Sequence, residues 1–93
     1  MKTIDPQRFM ISAMGNPYLH QNLEWWATDD ERVLGVVILD LVDKDYSWVK
    51  LTTEDQGDED DGHGLYRAVD LGHSLKTETE ARNRLFAAMK ASP

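Results

Sequence analysis

The chain contains no cysteine, which excludes disulfides, thiolate zinc sites, iron–sulfur clusters and cysteine nucleophiles together, and suits a reducing compartment. No apolar run approaches the roughly 18–20 residues of a membrane-spanning helix, and the start Met1-Lys2-Thr3-Ile4-Asp5-Pro6 meets charge too soon for a signal peptide. A soluble, cytoplasmic protein is therefore expected. There is no run of basic residues either: Lys and Arg are dispersed from Lys2 to Lys90, so the electrostatic footprint of a general nucleic-acid binder is missing. No internal repeat, G-x-G-x-x-G, P-loop or H-E-x-x-H spacing is present.

What is present is enough apolar mass for one small packed unit. Ninety-three residues, 41% of them hydrophobic, with three Trp, three Tyr and three Pro, describe a single globular domain over residues 1–93. The net charge of −7 comes from 17 acids and 10 bases. Glu54, Asp55, Asp58, Glu59, Asp60 and Asp61 supply six of those acids, and without them eleven acids face ten bases. The body is nearly neutral, and the acidity belongs to one stretch. A carboxylate run repels itself and cannot be buried without partners, so residues 54–64 are expected to form a flexible, solvated loop.

Asp5-Pro6 reads as a helix start and Gly15-Asn16-Pro17 as its end, with Phe9, Met10, Ala13 and Met14 forming an apolar stripe between them. Residues 18–22 read as a connection. Four β-type segments follow, over residues 23–28, 33–42, 46–53 and 65–71. Thr77-Glu78-Thr79-Glu80 has the capping-box pattern and opens a C-terminal helix that buries Ala81, Leu85, Ala88 and Met89, with Phe86 at the edge. The expected architecture is α+β in the order αββββα: an antiparallel four-stranded meander with an N-terminal and a C-terminal helix.

A three-residue loop at Asp43-Lys44-Asp45 sets Val42 opposite Tyr46 and puts Val37, Leu39, Leu41, Val49 and Leu51 on one aliphatic face. The four-residue turn before Val33 sets Trp26 opposite Gly35, whose missing side chain makes room for the indole. The other face then carries Trp25, Val36, Ile38, Asp40, Tyr46, Trp48, Lys50 and Thr52, with more aromatic surface than a solvated sheet needs. Three readings of this face compete: ordinary core beneath the N-terminal helix, a protein-binding patch, or a base-stacking platform. The order of elements and the acidic stretch count against the last.

The chemical motifs are weak. His20, His63 and His73 have no metal-ligand spacing. Asp58, Glu59, Asp60, Asp61 and His63 offer oxygen and imidazole ligands to a divalent cation, but setting Gly62 at the EF-hand glycine leaves Gly57 and Ala68 at ligand positions, which excludes that motif. Asp40 and Asp70 sit inside apolar strands, where a raised pKa would make a general acid or base, although outward-facing or paired carboxylates are the commoner outcome. Ser74 beside His73 lacks a nucleophile elbow, and adjacent strand residues point apart. No catalytic residue and no cofactor are assigned. The expected function is non-catalytic protein interaction. Trp25, Tyr46, Trp48 and Lys50 form the contact face, Asp58, Glu59, Asp60 and Asp61 attract a partner with a basic surface, and the protein is a monomer or homodimer. The alternative is an acidic inhibitor of the phage or mobile-element kind, occupying a basic groove as a nucleic-acid mimic. A small enzyme and a direct nucleic-acid binder rank below both.

Overall fold

A computed structural model describes residues 1–11, 13–53 and 66–91. It shows an α+β single domain in which five strands, β1 (Lys2–Thr3), β2 (His20–Ala27), β3 (Val33–Asp40), β4 (Tyr46–Thr53) and β5 (Tyr66–Leu75), form an antiparallel sheet in sequence order. One helix, α1 (Glu78–Lys90), follows. The acidic residues 54–61 and His63 lie outside the described residues.

The N-terminal helix expected from Asp5-Pro6 stops after a single 3₁₀ turn, Pro6–Phe9. Its start is as the sequence implies: the Asp5 carboxylate accepts the Gln7 N–H at 3.0 Å. The chain then leaves the helical path at Met10, which sits at φ 60°. A helix this short has too few internal bonds to offset its nucleation cost. Met14 finds other partners, its N–H and C=O both bonded to the Asn22 side-chain amide at 2.9 Å. Phe9, Ile11 and Met14 pack on the sheet, whereas Met10 and Ala13 of the expected stripe are exposed. The residues before this turn add the strand that sequence reading missed, pairing Lys2 with Ala27 and Thr3 with Trp26.

Register differs from expectation at one hairpin. Trp26 lies opposite Gly35 as expected, but Tyr46 lies opposite Leu39, not Val42. Asp40 causes the shift. Its carboxylate accepts the N–H groups of Val42 at 2.9 Å and Asp43 at 3.0 Å, its carbonyl accepts the Lys44 N–H at 2.9 Å, and its N–H reaches the Asp45 carbonyl at 2.8 Å. The connection therefore takes residues 40–45. Because side chains alternate, an odd shift exchanges the two faces of β4: Trp48 lies opposite Val37, and Val49 opposite Val36.

Both faces carry an apolar core, while most of β5 stays exposed. Val37, Trp48, Ala81, Leu85 and Met89 form a core beneath α1, while Ala27, Leu34, Val36, Ile38 and Leu51 form a second, flanked by Ile4, Phe9, Ile11 and Met14. Leu34 through Ile38 are consecutively buried, which explains why β3 reads as a continuous apolar run. Gly35 makes room for the helix and not for Trp26: a Cβ there would come within 2.5–2.8 Å of Leu85 and Met89. The cap of α1 forms as expected, Thr77 Oγ1 accepting the Glu80 N–H at 3.1 Å, and Ala81, Leu85 and Met89 are buried, with Ala88 and Phe86 half-buried beside them. No helix among the described residues is long and apolar enough to cross a membrane.

Candidate interaction surface

The structure disperses the aromatic face drawn from the sequence. Trp25 is half-buried on the side of the N-terminal segment, whereas Trp48 and Tyr46 contribute to the core beneath α1. Trp48 and Lys50 are each 9% exposed, so neither offers a partner much surface. The Lys50 ammonium donates to the carbonyls of Ala88 at 2.8 Å and Ala91 at 3.4 Å. It is a cation placed at the negative end of α1, where the last helical carbonyls lack internal donors. The remaining predicted contact residues, Asp58, Glu59, Asp60 and Asp61, lie outside the described residues, as does His63. Among the described residues, no group of three or more His, Asp or Glu side chains could hold a metal ion.

The carboxylates weighed for acid–base work are differently placed. Asp70 is exposed and accepts the N–H of its neighbour Leu71 at 2.9 Å. Asp40 is the centre of the turn described above, and the N–H groups of Asp43 and Val42 hold its carboxyl below the usual aspartate range. That is the opposite of the raised value a general acid needs. His73 and Ser74 do meet, Nδ1 and Oγ lying 3.1 Å apart, because Ser74 sits at φ 65° in an irregular stretch of β5. Regular alternation would have separated them. An open groove of about 880 Å³ lies where α1 ends, lined by Val33, Lys50, Val69 and Met89 with Arg32 and Asp70; its lining carries both signs of charge.

Besides Met10 on the N-terminal segment and Val69 and Leu71 on β5, exposed apolar side chains stand on two turns joined at one end of the sheet. Tyr18 is 87% exposed, Val42 66%, Leu19 41% and Leu41 40%. Each turn is built by one polar side chain acting on nearby backbone. Asn16 Oδ1 accepts the Tyr18 N–H at 2.9 Å, and its carbonyl accepts the N–H groups of Leu19 and His20 at 2.9 and 2.8 Å, an Asx turn with Pro17 inside it. The Asp40 carboxylate likewise accepts the Val42 and Asp43 N–H groups of the second turn. The Leu41 N–H donates to the Leu19 carbonyl at 2.8 Å and joins the two. His20 opposes Asp40 across β2 and β3, with Nε2 4.0 Å from Oδ2. Its Nδ1 accepts the Asn16 N–H at 3.2 Å.

Sequence reading missed this surface because it treated residues 18–22 as a connection and Leu41 and Val42 as strand. The available signal was Asp40 ahead of an apolar pair, in a position where a carboxylate can satisfy the amides two and three residues on. Comparison with family models, with curated proteins and with solved structures gave no match.

Proposed function

We propose that this protein is a non-catalytic interaction module that binds another protein through Tyr18, Leu19, Leu41 and Val42. The observation that carries this reading is the exposure of four apolar side chains on turns whose backbones are fixed by Asn16 and Asp40. Tyrosine is among the residues enriched in binding hot spots, because its large side chain loses little conformational entropy on contact. The acidic stretch from Glu54 to Asp61 gives the module a second role to play. Six acids on a nearly neutral body attract a partner with a basic surface over a distance set by salt. On this reading the turns supply affinity and the acids supply the rate of encounter.

The test is affinity capture from lysate at low and moderate salt. It compares the wild type with Tyr18→Ser/Val42→Ser and with Asp58→Asn/Glu59→Gln/Asp60→Asn/Asp61→Asn. The reading expects one partner to be lost from the first variant at both salts, and to be weakened in the second chiefly at low salt. A partner held equally by the wild type and the Tyr18/Val42 variant would refute the surface. Capture of nucleic-acid enzymes lost only from the acid-neutralised variant would favour the inhibitor that imitates phosphates.

A further inference from the structure

We propose that His20 is a proton-operated latch on the entry to the turn that presents Tyr18: the neutral ring holds the Asn16 amide, and the imidazolium lets it go. The biological consequence rests on the interaction-surface reading, but the latch is a property of the free chain.

The geometry assigns a role to each ring nitrogen. Nδ1 accepts the Asn16 N–H at 3.2 Å, so it carries a lone pair and the neutral ring holds its proton on Nε2. Nε2 faces Asp40 Oδ2 at 4.0 Å. The ring reaches this position because residue 15 is glycine. Gly15 adopts φ +81°, and a Cβ there would stand 2.9 Å from Nδ1 and 3.0 Å from Cγ. A side chain at 15 would both strain the backbone and displace the imidazole.

The charges around the ring decide which part moves. Gly15 and Asn16, which meet it from the N-terminal side, carry no charge. From β3 comes Asp40, followed in its turn by Asp43, Lys44 and Asp45. When Nδ1 gains a proton, two donors face each other across 3.2 Å and the bond to Asn16 is lost. The same proton strengthens the attraction of the ring to Asp40. The imidazolium therefore stays on β3 while the backbone at Asn16 is pushed away. Met14 remains tied to Asn22, and the Asn16 carbonyl to the Leu19 and His20 N–H groups, so the displacement falls between them, on Gly15 and the Asn16 amide. Acidification then loosens the entry to the turn that carries Tyr18, whose N–H is bonded to the Asn16 side chain.

The experiment follows the backbone amides and the His20 ring of the full chain by NMR from about pH 7.5 to about pH 5.5. The amides of Asn16 and Tyr18 should shift along the same titration curve as the ring, with the Leu19 amide moving much less. Hydrogen-exchange protection at Asn16 should fall about fivefold, the factor one ordinary hydrogen bond represents. His20→Asn places a non-titrating acceptor where Nδ1 stands and should flatten the response. Asp40→Asn keeps a side-chain oxygen for Val42 and Asp43 and should leave the loss of the Asn16 bond in place, since that loss needs only the proton on Nδ1, while removing the charge that holds the imidazolium on β3. An Asn16 amide that stays still while the ring titrates would overturn the latch, as would a response abolished by Asp40→Asn. Both results are read without a partner, so failure here is separate from failure of the Tyr18 surface, which the capture experiment tests at neutral pH.

Discussion

Glu24 on β2 accepts two hydrogen bonds from the Arg82 guanidinium of α1, from Nε at 2.7 Å and from Nη2 at 2.5 Å. The Trp26 indole N–H adds a third at 2.7 Å. A forked pair of this kind fixes orientation as well as distance, and it fastens the first half of the helix to the sheet.

The Glu24 contact makes stability depend on acid. Arg82 holds the Glu24 carboxyl at about 2, against an ordinary 4.5. A folded value below the unfolded one means that the stabilisation is complete above about pH 4.5 and is lost as pH falls toward 2. Glu78, which shares a hydrogen bond with Glu24, is pushed up by that neighbour. Its protonation relieves repulsion and offsets part of the loss. Urea denaturation across this range should show the wild type losing stability on acidification and Glu24→Gln showing a flatter slope. At neutral pH, Arg82→Ala should cost about 1–3 kcal/mol, the range for hydrogen bonds to charged groups.

Lys50 tests whether a buried cation belongs to the helix end. Lys50→Met keeps the aliphatic stem and removes the donor to the carbonyls of Ala88 and Ala91. The expected cost is about 1–2 kcal/mol, read as a lower thermal midpoint, with exchange protection lost first near residues 88–91. An unchanged midpoint would show that water replaces the ammonium at no cost.

Gly35 and Leu85 should be coupled. Gly35→Ala drives a methyl group into Leu85 and Met89 and is expected to cost about 1–3 kcal/mol. Leu85→Ala alone should cost about 2–5 kcal/mol, because its side chain is fully buried. The double variant should be less destabilised than the sum, since the added methyl group occupies part of the cavity. Strict additivity would place the helix farther from β3 than described.

The β3–β4 register is open to a direct check. Cross-strand proton contacts should join Val37 to Trp48 and Val36 to Val49. Asp40→Ala removes the acceptor for two amides and should lower the thermal midpoint, whereas Asp40→Asn should lower it less. Contacts between Val37 and Leu51 would instead establish the shorter loop.

The local chemistry of this chain was legible in its sequence. The cap at Thr77, the buried stripe of α1, the strand character of β2 to β5 and the pairing of Trp26 with Gly35 all follow from interactions within a few residues or from simple alternation. Tertiary structure decided the rest. One carboxylate, Asp40, lengthened a loop by satisfying two amides, and an odd change in register moved Trp48 and Lys50 beneath the helix. The N-terminal segment gave up a marginal helix because Asn22, eight residues from Met14, offered its backbone a better partner than its own next turn. The exposed Tyr18 surface follows from the same cause. Which residues remain outside depends on long-range pairings that bring the turns of Asn16 and Asp40 side by side, and no local pattern encodes that meeting.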